Sequence, residues 1–101
     1  MPEYRIAFHP EAVEELREAE RYIEERRKHW GGRFRSEVAA ALQFVRSRSD
    51  GKVQRHGTYW SVKVSRFPYR LYYRIEGVEI WIYAVYHSSR KTGGWHRRKF
   101  G

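Results

Sequence analysis

The spacing of apolar residues changes period along this 101-residue chain, and that change dictates which layers it can form. From residue 11 onward, Ala12, Val13, Leu16, Ala19, Tyr22 and Ile23 recur at helical spacing, while Glu11, Glu14, Glu15, Glu18, Arg21, Glu25 and Lys28 fill the rest of the wheel. Pro10 suits a first helical turn, and the early glutamates suit the positive end of a helix dipole, so an amphipathic helix is expected to about residue 29. Gly31-Gly32 should break it. Phe34, Val38, Ala41, Leu42 and Val45 then repeat at i, i+4, i+7, i+8 and i+11, which predicts a second helix and, given the short connection, an antiparallel helical hairpin.

Elsewhere the period is two. Tyr4, Ile6 and Phe8 alternate with Arg5 and Ala7 as a short strand ending at His9-Pro10. Ser49-Asp50-Gly51 reads as a turn, Lys52–His56 as a short strand and Gly57-Thr58 as another turn. Trp60, Val62 and Val64 alternate with polar residues, Pro68 interrupts, Leu71, Tyr73 and Ile75 resume, and Glu76-Gly77 fits a tight hairpin into Val78–Tyr86. The order is β-α-α followed by three or four strands. It predicts one α+β domain over residues 1–101, β-α-α-β-β-β, with the helical hairpin packed on one face of a mostly antiparallel sheet. Residues 88–101 hold five Lys/Arg and no acid, and are expected to form a partly mobile basic tail.

The net charge of +9 is unevenly placed: residues 1–37 carry 8 Lys/Arg against 9 Asp/Glu, and residues 38–101 carry 13 against 3. Such a bias points to an anionic partner. If the helices cover Trp60, Val62, Val64, Leu71, Tyr73, Ile75, Ile80, Ile82 and Ala84, the pleat sends Lys63, Arg70, Tyr72, Arg74, Trp81, Tyr83 and His87 to the far face. Cations alternating with rings suit a phosphate backbone with stacked bases. The same residues would also serve merely to solvate an open sheet, with Trp81 and Tyr83 packed under the tail.

With no cysteine there is no disulfide, thiolate nucleophile or cysteine-based zinc site, and no apolar run approaches the roughly 18 residues of a membrane span. A cytoplasmic protein without cofactor is expected. The only aspartate is Asp50, so a cluster of metal-binding carboxylates is not in view, and His9, His29, His56, His87 and His96 lack metal-ligand spacing. The helical glutamates read as a solvated face paired with Arg21 and Lys28. One chemistry remains: metal-free RNA cleavage, with Lys63, Arg66, Arg70 and Arg90 holding the phosphate and His87 exchanging the proton. A strand-end histidine that only hydrogen-bonds its neighbours fits the sequence as well.

The segment Arg66-Phe67-Pro68-Tyr69-Arg70-Leu71-Tyr72-Tyr73-Arg74-Ile75, the run from Ile80 to Arg90 and Trp95 together resemble the RelE/ParE superfamily of toxins of type II toxin–antitoxin systems, the plasmid-stabilisation type. His9-Pro10-Glu11-Ala12, Glu14-Glu15-Leu16 and Gly32-x-Phe34 extend the likeness over nearly the whole chain. The resemblance implies a cognate antitoxin partner and one of two targets. RelE-like members are endoribonucleases that cut ribosome-bound mRNA with basic residues and a histidine or tyrosine on the concave sheet face, and Lys63, Arg66 and His87 stand at corresponding places. ParE-like members generally lack that set and inhibit DNA gyrase without being enzymes. A basic RNA- or DNA-binding module without toxicity is the alternative from a different class.

Overall fold

The structure, a computed structural model, describes residues 4–47, 53–56, 59–89 and 97–98, with residues 53–56 as backbone alone. A first strand, β1 (Arg5–Phe8), leads into helices α1 (Pro10–Arg26) and α2 (Trp30–Arg46), and four strands follow: β2 (Val53–His56), β3 (Tyr59–Lys63), β4 (Tyr69–Glu76) and β5 (Glu79–His87). They form one sheet in the order β1-β5-β4-β3-β2. The β1–β5 pair is parallel and the others are antiparallel, so the α+β arrangement read from the periodicity is the one observed. The turns expected at Ser49–Gly51 and Gly57–Thr58, together with Arg90 and Trp95, lie outside the described residues.

Local chemistry explains the helix ends. The His9 ring caps α1 by accepting the Glu11 N–H at 3.1 Å, and Pro10 occupies the first turn, where a missing N–H costs nothing. The break between the helices falls earlier than the two glycines suggest. α1 ends at Arg26, and His29 takes a left-handed conformation at φ 74° immediately before α2. Gly31 and Gly32 belong to the first turn of α2. Gly31 allows close approach: a Cβ there would lie 2.9 Å from a Glu24 carboxylate oxygen and 3.2 Å from the Glu20 carbonyl. That Glu24 carboxylate accepts the His29 and Gly31 N–H groups, each at 2.9 Å, and closes the exposed start of α2.

The core lies between the helices and one sheet face. Phe34, Val38, Ala41 and Val45 from α2 and Ala12 and Ala19 from α1 meet Val62, Val64, Leu71, Tyr73, Ile80 and Ile82, all buried. Burying a side chain such as Phe34 or Leu71 stabilises the fold by about 1.5–3 kcal/mol. Tyr22, assigned to the α1 stripe, is instead 51% exposed. The largest departure comes from a β-bulge. Tyr72 pairs with Ala84 whereas Tyr73 pairs with Ile82, so Tyr83 is an extra residue on β5 and the alternation shifts by one beyond it. Ala84 therefore joins Tyr72, Tyr83 and Tyr86 in a second buried cluster on the far face, and Val85 returns to the helix side.

Candidate functional site

The bulge decides where His87 goes. It pairs with Tyr69, whose ring packs edge-on against Phe34 of α2 at 5.2 Å, and the His87 and Tyr69 rings are themselves 5.2 Å apart. Both line a cleft of about 290 Å³ with Glu15, Glu18, Ala19 and Tyr22 of α1. His87 thus faces the helices, not the cationic face to which simple alternation assigned it. Its Nδ1 accepts the Ser89 N–H at 3.0 Å and lies 2.7 Å from the Ser89 hydroxyl, which puts a neutral ring's proton on Nε2.

The cations gathered by the sequence do not converge on it. Lys63 and Arg70 pair across β3 and β4. The Lys63 ammonium donates to the Val64 and Phe67 carbonyls, each at 3.2 Å, and so ties down the β3–β4 turn. Arg70 Nε donates to the buried Ser61 hydroxyl at 3.0 Å. Arg66 sits in the turn itself, at φ 72°, with its exposed guanidinium 3.9 Å from Glu37 of α2. Among the described residues, then, the expected set divides between a turn, the far face and the helix side.

The far face also lacks exposed rings for stacking at three of its positions, because Tyr72, Tyr83 and Tyr86 are 6%, 3% and 2% exposed. Burial pushes the Tyr72 and Tyr83 hydroxyls above the ordinary value of 10.0, which keeps them neutral and makes them weaker proton donors. No group of three His, Cys, Asp or Glu side chains among the described residues is placed to hold a metal ion. No described helix is long and apolar enough to cross a membrane.

Sequence reasoning missed a structural clasp. Glu15 is not on the solvated face: its carboxylate accepts the Val85 N–H at 3.0 Å at the bulged edge of β5, and takes both terminal nitrogens of Arg98 at 2.9 and 2.8 Å. Arg98 also donates to the Tyr83 carbonyl at 2.8 Å and lies 3.3 Å from Glu11. The Glu15 and Arg98 side chains are 13% and 12% exposed. The pair satisfies strand-edge groups that lie beyond the reach of β1, whose last partner on β5 is Ile82. At this point the expected mobile tail is anchored. A bulge has no signature in the alternation of β5, and without it Glu15 has no visible reason to be buried.

Among curated proteins none matches this chain. Among solved structures, it is similar to a chain described as the chromosomal ParDE TA system from P. aeruginosa, with a TM-score of 0.68, 11% identity, and coverage of 84% of this chain and 96% of that one. At that identity the likeness speaks for the fold. The family described as the ParE toxin of type II toxin-antitoxin system, parDE, matches residues 6–92. A match over that length, on a chain whose β-α-α-β fold and sheet order are those just described, places it: the chain belongs to the ParE toxin family of type II toxin–antitoxin systems.

Proposed function

We propose that this toxin inhibits growth by binding DNA gyrase in the cytoplasm rather than by cutting mRNA, and that a cognate antitoxin holds it inactive. The observation that carries the reading is the separation of His87 from Lys63 and Arg70. RNA cleavage without metal needs a proton-transfer group and phosphate-binding cations around one phosphodiester. Here the histidine faces α1, while Lys63 and Arg70 donate to turn carbonyls and to Ser61. The buried tyrosines of the far face are poorly suited to stand in for it. Binding to a protein target makes no such geometric demand. The similarity to a chain of a ParDE system supports an antitoxin as the resting partner.

Two experiments test this. Expression of the toxin alone should arrest growth of a susceptible bacterial host, and co-expression with the small reading frame beside it should restore growth. Harmless expression of the intact, folded protein would leave only a non-toxic nucleic-acid-binding module. Purified toxin should block supercoiling by purified gyrase, and full supercoiling at toxin in large excess would refute the target.

A further inference from the structure

The chain carries a second cationic surface, hidden in the half whose charges nearly cancel. Seven of the nine acids of that half lie in α1, whereas Arg26, Arg27, Lys28, Arg33 and Arg35 fall within ten consecutive residues that contain no acid. The fold places these ten residues at the tip of the helical hairpin, and all five cations are exposed.

Two of the five share one aromatic ring. The Arg27 guanidinium lies 4.0 Å from the centre of the Trp30 ring and that of Arg33 lies 5.4 Å from it. Trp30 is anchored in turn, with its ring 5.9 Å from the buried Phe67. Stacking on an anchored indole removes much of the rotamer entropy a free arginine would lose on binding, and leaves the guanidinium N–H groups along the ring plane open to an acceptor. Gly32, between them, is exposed, and a Cβ there would meet nothing within 4 Å, so the backbone can be approached closely. Arg66, in the turn that carries Phe67, is exposed but lies 3.9 Å from Glu37, which offsets its charge. Glu24 offsets part of this charge by closing the start of α2, and Arg35 is taken by Glu20 at 2.8 Å. Arg26, whose guanidinium lies 4.5 Å from the centre of the Tyr22 ring, stays exposed together with Arg27, Lys28 and Arg33.

We propose that this tip binds the phosphate backbone of duplex DNA through Arg27 and Arg33, flanked by Arg26 and Lys28. Duplex DNA presents about one negative charge per 1.7 Å of axis, a density suited to several guanidinium groups grouped on one protrusion. Its biological setting rests on the gyrase reading: a toxin that meets gyrase meets an enzyme loaded with DNA, and the tip would add a contact to that DNA. The binding itself needs no gyrase.

The probe is a fluorescently labelled duplex of about 20 base pairs, titrated with the full-length toxin at several salt concentrations and followed by anisotropy. The double substitution Arg27→Gln, Arg33→Gln should weaken binding at least tenfold and lower the slope of log affinity against log salt by about 2, since each phosphate contact contributes about 0.9. Arg5→Gln, Arg17→Gln removes the same charge from exposed positions outside the tip and should leave affinity within about threefold of wild type, with circular dichroism confirming the fold of both variants. Equal losses in the two variants, or an unchanged salt slope in the first, would overturn the proposal. So would stronger binding to poly-glutamate than to the duplex at matched charge, which would assign the tip to an acidic protein. The gyrase reading stands apart: if supercoiling is blocked while the tip variant binds DNA normally, only the tip proposal falls. If wild type binds DNA through the tip but never blocks supercoiling, only the gyrase reading falls.

Discussion

Replacing Arg98 by Met should unfold this toxin more readily than any exposed-charge substitution, although only three residues follow Arg98 in the chain. The change keeps most of the side-chain volume but takes the compensating guanidinium away from the Glu15 carboxylate, which is only 13% exposed and has lost most of its hydration. Removing one partner of a fully buried ion pair costs about 3–5 kcal/mol, and the residual exposure here lowers the expectation to about 2–3 kcal/mol. For a domain of this size that corresponds to a fall of roughly 10–20 °C in Tm. Chemical denaturation of wild type, Arg98→Met, Glu15→Gln and the double variant gives the cycle. The double variant should lose less than the sum of the two singles, by at least about 1 kcal/mol, because its remaining groups are both uncharged. Loss of under about 0.5 kcal/mol in Arg98→Met, with strict additivity, would mean that the clasp closes nothing and that the C-terminal end is a free tail.

Gly31→Ala should destabilise by about 1–2 kcal/mol, since the added methyl meets the Glu24 carboxylate and α1 backbone, whereas Gly32→Ala, with open space around it, should gain about 0.5 kcal/mol; equal effects in thermal melts would refute the close approach. At the left-handed position 66, Arg66→Gly should be more stable than Arg66→Ala by about 1 kcal/mol in the same assay, and the reverse order would contradict the turn geometry. The Glu24 carboxyl is held below its ordinary 4.5, first by the His29 and then by the Gly31 N–H group. A lowered carboxylate contributes stability that is present above about pH 4.5 and lost as pH falls through the folded-state value, so Glu24→Gln should melt below wild type near pH 7 and the gap should close in acid. A gap independent of pH would rule out that role.

Most of the fold was legible because the chain obeys two simple periods. Phe34, Val38, Ala41 and Val45 face inward at the helical spacing that announced them, and Val62, Leu71 and Ile80 do so at spacing two. Reasoning from alternation failed after Tyr83, since one extra residue on β5 exchanges the faces of every residue beyond it, and His87 was the residue on which the catalytic reading depended. Glu15 looked solvated for a related cause: its partner Arg98 is 83 residues away and its other partner, the Val85 N–H, is exposed only where β1 stops. Summing charge by halves of the chain also averaged away the arginines around Trp30. Of the five residues expected to act together, Lys63 and Arg70 are cross-strand neighbours, Arg66 lies in the turn between their strands, His87 faces the helices, and Arg90 lies outside the described residues.

The most direct test of a non-enzymatic toxin is primer extension on ribosome-bound mRNA run beside a gyrase supercoiling assay, with wild type and folded His87→Ala and Arg66→Ala. The account predicts blocked supercoiling, no toxin-dependent mRNA ends, and inhibition that survives His87→Ala. New mRNA ends that fall at least about tenfold in both variants, with gyrase unaffected, would contradict it and restore the ribonuclease.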